Sequence, residues 1–138
     1  MLHKASMDSV MMFSMKLSGP GLELAPGFKL AEFQSGDGLD QVLIHPLLIT
    51  GLVALRDWAG GPVTINSAFR SVWHNSKIGG AKKSKHLLGM AADVVVAGKS
   101  CDEVGAWGEG MEWGGVGRYK TFTHLDVSGH GRRWDNRT

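Results

Sequence analysis

The sequence holds a single cysteine, Cys101, and only four prolines in 138 residues. With one thiol, neither an internal disulfide nor a cysteine-rich zinc site can form, so any metal must be held by histidine and carboxylate. Cys101 itself opens a helix pattern with no base near it in sequence, and it reads as a structural thiol rather than a nucleophile. Long apolar runs are missing too, since no stretch approaches the roughly eighteen residues of a membrane span. The Met-rich start, interrupted by Asp8 and Lys16, lacks the apolar run and small-residue cleavage site of a signal peptide. These absences predict a chain made in the cytoplasm, without signal peptide or membrane span. A strong charge bias is also lacking: the net charge of +2 gives no case for nucleic acid as a partner. Lys82, Lys83 and Lys85 form a local basic cluster, which reads either as a solvated loop or as an attraction for an anionic polymer.

What is present is glycine, 20 residues, roughly double the usual share of about 7%, and this predicts tight turns and a site built on loops. Apolar residues at 43% and charged residues at 20% are those of one ordinary globular domain, expected as a monomer. Residues 1–26 mix Ser, Gly and Pro with isolated apolar residues and read as an irregular N-terminal arm ahead of a domain over 27–138. Pro46 stands in a first helical turn, with Leu48, Leu52, Leu55 and Ala59 at helical spacing before Gly60-Gly61. Residues 63–69 alternate as a strand, 71–90 read as loop, and 91–97 form a second strand containing Asp93. Ser100 and Glu103 make a capping box for a short helix through Trp107. A glycine-dense connection follows over 108–117, then a third strand over 119–127 and a basic, aromatic tail ending at Trp134. The expected fold class is α+β, a small antiparallel sheet flanked by helices.

The chemistry concentrates in two segments. Ser84-Lys-His86-Leu-Leu-Gly-Met-Ala-Ala-Asp93 puts a histidine at a loop end and an aspartate on the next strand, with Gly89 able to turn the chain between them. Zinc accepts imidazole nitrogen and carboxylate oxygen, and a catalytic site uses three protein ligands. His124, in Phe122-Thr-His124-Leu-Asp126-Val, supplies a third. On a strand His124 and Asp126 share a face, which makes Asp126 a candidate to take a proton from a metal-bound water. Taken singly, each residue has a duller reading: a satisfied histidine, a strand-end aspartate, an ion-pair partner for Arg118 or Arg132. His74 and Ser84 could lie near the site, Trp113 and Tyr119 read as core or cleft wall, and His45 and His130 carry no argument.

Five ordered motifs change this balance: Ile65-Asn-Ser-Ala-Phe-Arg70-Ser; His74-Asn75 with Gly79-Gly80-Ala81; Ser84-x-His86-x-x-Gly89-x-Ala91-Ala92-Asp93; Gly115-x-Gly117-x-Tyr119; and Phe122-x-His124-x-Asp126-Val. Together they resemble the M15 family of D-Ala-D-Ala carboxypeptidases and related phage endopeptidases, in its small branch, from about Phe28 to Trp134. The resemblance implies a hedgehog/D-Ala-D-Ala peptidase-like fold and one zinc ion on His86, Asp93 and His124. It places Arg70 near the metal as a substrate-binding guanidinium, suited to a terminal carboxylate or a peptide carbonyl, with Ser84 beside it.

The implied activity is hydrolysis of peptide bonds in peptidoglycan stem peptides, either as a D,D-carboxypeptidase or as an endolysin-like endopeptidase. An endolysin of this kind acts on the cell wall after release and depends on a separate membrane-permeabilising protein for access. One position departs from the pattern. Many relatives carry an acid three residues before the last histidine, where this chain has Thr121. Asp126 is therefore the expected base, with Glu112 as the fallback. The same departure favours the alternative, a metal-bearing structural or wall-binding module without hydrolysis, for example in a phage particle.

Overall fold

The structure, a computed structural model, describes residues 9–129 and 131–138. The first eight residues of the N-terminal arm and His130 lie outside the described residues. Residues 9–26 are not the irregular arm that their composition suggests. β1 (Met11–Ser14) runs into a one-turn helix α1 (Met15–Ser18), and β2 (Glu23–Ala25) with β3 (Phe28–Lys29) forms a small hairpin followed by a 3-10 turn, Leu30–Phe33. β1 pairs antiparallel with β4 (Gln41–Ile44), Met11 opposite Ile44. Asp40 completes this junction, accepting from Ser14 Oγ at 2.6 Å and from Lys16 N at 2.9 Å. The backbone of the arm is thus satisfied by a strand about thirty residues away, a long-range pairing that local composition does not encode.

α2 (Pro46–Ala59) begins where Pro46 predicts. His45 caps it, its Nδ1 accepting from Leu47 N at 3.1 Å, and Gly60 closes it in the left-handed region at φ 68°. Leu48, Leu52 and Leu55 bury one face. Gly51 lies on that face because Trp113, the largest fully buried side chain among the described residues, packs against it.

Next come β5 (Val63–Ser67), α3 (Val72–Lys77), a 3-10 turn (Lys85–Leu88), β6 (Ala91–Val96), α4 (Cys101–Gly110), β7 (Gly115–Arg118), β8 (Thr123–Asp126) and β9 (Arg132–Asp135). The segment 71–90 is therefore not all loop: Ser71 caps α3, its Oγ accepting from His74 N at 3.0 Å. The expected strand over 119–127 is shorter, because Tyr119 N donates to Phe122 O at 3.2 Å and closes a hairpin turn between β7 and β8. Ser100 and Glu103 do form the capping box of α4. No helix of the described residues is long and apolar enough to cross a membrane.

The fold is α+β around a five-stranded sheet in the order β5-β6-β8-β7-β9. It is antiparallel except at one edge, where the expected tail is β9, running parallel to β7. The chain leaves β8, passes over Gly114 and docks on the far side of β7, with Arg132 N donating to Gly114 O at 2.9 Å. That crossing needs a glycine, since a Cβ on Gly114 would collide with the Ser128 carbonyl. Side chains alternate across the sheet. Ala92, Val94, Val116 and Leu125 join the hydrophobic core on one face, leaving Asp93, His124, Asp126, Gly115, Gly117, Arg132 and Trp134 to the other.

The Gly51 contact gives a test in which two effects oppose. Helix propensity alone predicts that Gly51→Ala stabilises by about 1 kcal/mol. A Cβ there, however, would lie 2.5 Å from the Trp113 ring, and overpacking a well-filled core costs about 1–3 kcal/mol. Gly51→Ala should therefore lower the midpoint of urea unfolding, and an unchanged or raised midpoint would show that Trp113 yields.

Candidate metal centre

The sheet register brings a row of residues together. Ser67 on β5, Asp93 on β6, His124 on β8, Gly117 on β7 and Trp134 on β9 are paired neighbours in turn. An irregularity between Ile65 and Ser67 sets Ser67, rather than Asn66, opposite Asp93. His86 arrives from outside the sheet on the 3-10 turn Lys85–Leu88, which Ser84 caps by accepting from His86 N at 3.2 Å. Gly89 ends the turn at φ 71°, so close to the Leu43 carbonyl that a Cβ has no room. Two bonds then fix His86 to the segment after β5: Arg70 N donates to His86 O at 3.1 Å, and His86 Nδ1 lies 2.6 Å from Ala68 O.

These contacts decide which ring nitrogens carry protons. A carbonyl only accepts, so His86 Nδ1 is the protonated nitrogen and the neutral ring presents a bare Nε2. That Nε2 lies 3.2 Å from Asp93 Oδ1. His124 Nε2 lies 2.8 Å from Asp126 Oδ2 and donates to it, leaving Nδ1 bare at 3.0 Å from Asp93 Oδ1. With neutral rings, three lone pairs therefore point at one another, an arrangement that only protons or a cation can hold. A tetrahedral zinc with bonds of about 2.0–2.2 Å separates its ligand atoms by about 3.3–3.6 Å, close to the distances found. His86, Asp93 and His124 are buried and their ligand atoms lie within 4.8 Å of one another.

The outer contacts match what a metal site requires around its ligands. Arg70 donates through Nε to Ser67 Oγ at 3.0 Å, through Nη1 to Asn75 Oδ1 at 3.2 Å and through Nη2 to Asp93 Oδ2 at 3.2 Å. Its guanidinium thus braces Asp93. Asn75, which enters the sequence motifs without an assigned role, also donates to Ala81 O at 2.9 Å and ties the loop over 79–84 to α3. Asp126 is fully buried, and its Oδ1 accepts from Arg132 Nη2 at 2.6 Å and from Ser128 N at 3.1 Å. Burial pushes the Asp93 carboxyl up, but its contacts with His124 and His86 outweigh it and hold it well below the usual carboxylate range. Asp126 is likewise lowered against its burial, by His124 and Arg132. For His124 burial opposes the charge, yet Asp126 and Asp93 raise its pKa.

The centre lies in a cleft of about 370 Å³, walled by Lys83, Lys85, Arg132, Tyr119, Phe122 and Trp134. Ser84 and Arg70 also line it, whereas Glu112 and His74 are not among its lining residues. His74 lies instead over Gly36. Thr121 is exposed in the β7–β8 turn, outside the regular strand, so the alternation of strand faces does not govern where it points. Two contributors come from the basic, aromatic tail, and of these only Arg132 has a role in the sequence reading, as one possible ion-pair partner of Asp126. Arg132 pairs with Asp126, and Trp134 lies with its ring 5.1 Å from that of His124.

A family model described as peptidase M15 matches residues 23–126. The chain belongs to the peptidase M15 family. Among curated proteins, the zinc D-Ala-D-Ala carboxypeptidase of Streptomyces albus G is 50% identical over 44 residues, which are 31% of this chain and 17% of that protein. The match thus spans only a small part of that relative. Within the M15 family the donor set of this chain, two imidazole nitrogens and a carboxylate, fits zinc.

Opposite pH trends follow for the protein without and with zinc. In the metal-free protein the depressed Asp93 and Asp126 contribute stability above about pH 4, lost as pH falls through their folded values. The raised His124 contributes stability that is complete below about pH 6.5 and lost as pH rises through its folded value. Metal-free stability should peak between those limits. Zinc must displace the His124 proton, so its stabilising effect grows with pH. Thermal melts from about pH 4 to 9, with chelator and with zinc, should show Tm of the metal-free protein falling above neutrality while the zinc-induced gain rises. A gain larger in acid than in alkali would overturn the ligand assignment.

Proposed function

We propose that this chain is a zinc metallopeptidase that hydrolyses peptide bonds in peptidoglycan stem peptides, as an endolysin-like endopeptidase or a D,D-carboxypeptidase. The observation that carries this reading is the convergence of three lone-pair donors at the floor of a cleft whose walls carry cations. When bound there, zinc polarises a carbonyl and lowers the pKa of a water. His86, Asp93 and His124 hold it, and Lys83 and Lys85 at the rim suit a stem peptide bearing free carboxylates. The name of the Streptomyces relative supports a wall-peptide substrate. As an endolysin it would reach the wall with the help of a membrane-permeabilising partner.

Arg70 and Asp126 act through their neighbours in this reading. Arg70 orients Asp93 through Nη2, and its remaining N–H groups are available to a substrate oxygen. Asp126, expected as the base, has both oxygens engaged, one by His124 and one by Arg132 and Ser128. This supports a positioning role, in which the carboxylate fixes the tautomer of His124 and raises its basicity as a ligand. The cleft's acids, Asp93 and Asp126, are both held in this way. That observation also favours the second reading, a zinc-bearing module that binds wall peptide without cutting it.

Digestion of purified peptidoglycan by wild type and by His86→Ala, read by mass spectrometry, separates the two readings. Release of peptide or amino acid by the zinc-loaded wild type alone is the expected result, and its mass names the bond cut. No release from wild type sinks the peptidase reading. Zinc competition against a chromogenic chelator then tests Asp126. A positioning role predicts that Asp126→Ala weakens zinc binding about 10–100-fold, whereas a base that faced only the water would leave zinc affinity unchanged.

A further inference from the structure

One wall of the cleft carries a hydroxyl that the metal centre does not use. Tyr119 and Phe122 close the β7–β8 turn, and their rings stack with centroids 4.3 Å apart and planes 11° from parallel. Trp134 Nε1 lies 3.0 Å from Tyr119 Oη. An indole N–H can only donate, so the phenol oxygen accepts in this bond, and its own O–H proton is not consumed by it. Trp134 is itself held: its ring lies against His124 at 5.1 Å and over Gly117, where a Cβ would collide with the indole. The turn, the stack and the indole bond together fix a phenol in the same cleft as His86, Asp93 and His124.

We propose that Tyr119 is a catalytic residue of the hydrolysis described above, donating its O–H to the scissile carbonyl oxygen as negative charge builds there. The inference rests on the peptidase reading. As the water oxygen bonds to the carbonyl carbon, the π pair moves onto the carbonyl oxygen, and the Tyr119 O–H hydrogen-bonds to that oxygen without giving up its proton. When the double bond re-forms, the C–N bond breaks with its pair on the amine, which takes up the proton that came from the water. Tyr119 ends as it began. A donor held in place before charge develops needs no reorganisation at the moment of reaction, the property that makes such groups effective. Arg70 is less free for this role, since Nε, Nη1 and Nη2 each already donate within the protein.

The test is the kinetics of Tyr119→Phe beside wild type on stem peptides released from peptidoglycan, with bound zinc measured on both. Phenylalanine keeps the ring and its stack on Phe122 and deletes only the hydroxyl. The expected result is a fall in kcat of about 100-fold or more, with KM changed by less than about threefold and full zinc occupancy. Trp134→Phe keeps the hydroxyl but removes the donor that orients it, so its kcat should fall less than that of Tyr119→Phe. Wild type active with Tyr119→Phe equally active overturns the role of Tyr119 and leaves the peptidase reading intact. A loss in Tyr119→Phe that appears wholly in KM or in zinc content also overturns it. Wild type inactive on every peptide overturns both.

Discussion

Three acceptor atoms facing one another are the constraint around which the rest of the site is arranged. Asp93 Oδ1 stands 3.0–3.2 Å from a nitrogen of each histidine, and the opposite nitrogens are occupied by the Ala68 carbonyl and by Asp126. The outer bonds therefore choose the tautomers, and the tautomers create the cation site. Charge follows the same logic. The second oxygen of Asp93 is met by Arg70 and the first of Asp126 by Arg132, so each buried carboxylate has its own guanidinium before any metal arrives, as buried charges require. A zinc ion held there would add two positive charges to this site, and Lys83 and Lys85 line the same cleft. A substrate rich in carboxylates is the complement of such a surface.

The sheet accommodates this cluster by leaving side chains out. β7 reads Gly-Val-Gly-Arg, and its two glycines fall on the metal-facing side while Val116 fills the core. A Cβ on Gly115 would meet both Asp126 and Arg132, and one on Gly117 would meet Trp134. The absent side chains let the Asp126–Arg132 pair and the Trp134–His124 contact form across a strand lying between their elements. The parallel edge strand β9 is what delivers Arg132 and Trp134. Its docking depends on the third glycine of the run, Gly114, over which the connecting loop passes. The high glycine content is thus a property of close approach as much as of turns.

Local chemistry was legible in the sequence wherever neighbours along the chain create it. The Pro46 helix start, the Gly60 stop, the Ser100–Glu103 capping box and the turn at Gly89 each depend on residues within four positions. The α+β class followed from them, and the ordered motifs pointed to His86, Asp93 and His124 and to zinc. What could not be read depends on partners distant in sequence. β1 is a strand because β4 lies beside it, β9 because β7 does, and Asn75 matters because of the groups it reaches. β7 falls largely in what reads as a glycine-dense connection, and the strand expected over 119–127 takes in the β7–β8 turn, since Tyr119 to Phe122 carries no glycine or proline to mark it. The backbone bond from Tyr119 to Phe122 and the stacking of their rings hold it instead.

Strand geometry also sets the direction from which Asp126 meets His124. Residues two apart on a strand are about 6.6–6.8 Å apart, whereas residues directly opposite on an antiparallel partner are about 4.5–5.5 Å apart. His124 is opposite Asp93 and two residues from Asp126, so a ring laid along the strand presents Nδ1 across the ladder and Nε2 toward residue 126. The same periodicity that puts Asp126 on the metal-facing side of the sheet thus binds its carboxylate to the far nitrogen of the ligand. Position 121 belongs to the exposed turn, where no ladder fixes direction. The turn's inward-facing groups are Tyr119 and Phe122. In this chain the hairpin contributes aromatic rings and a phenol to the cleft, and the Asp126 carboxylate on β8 is turned toward the ring of His124.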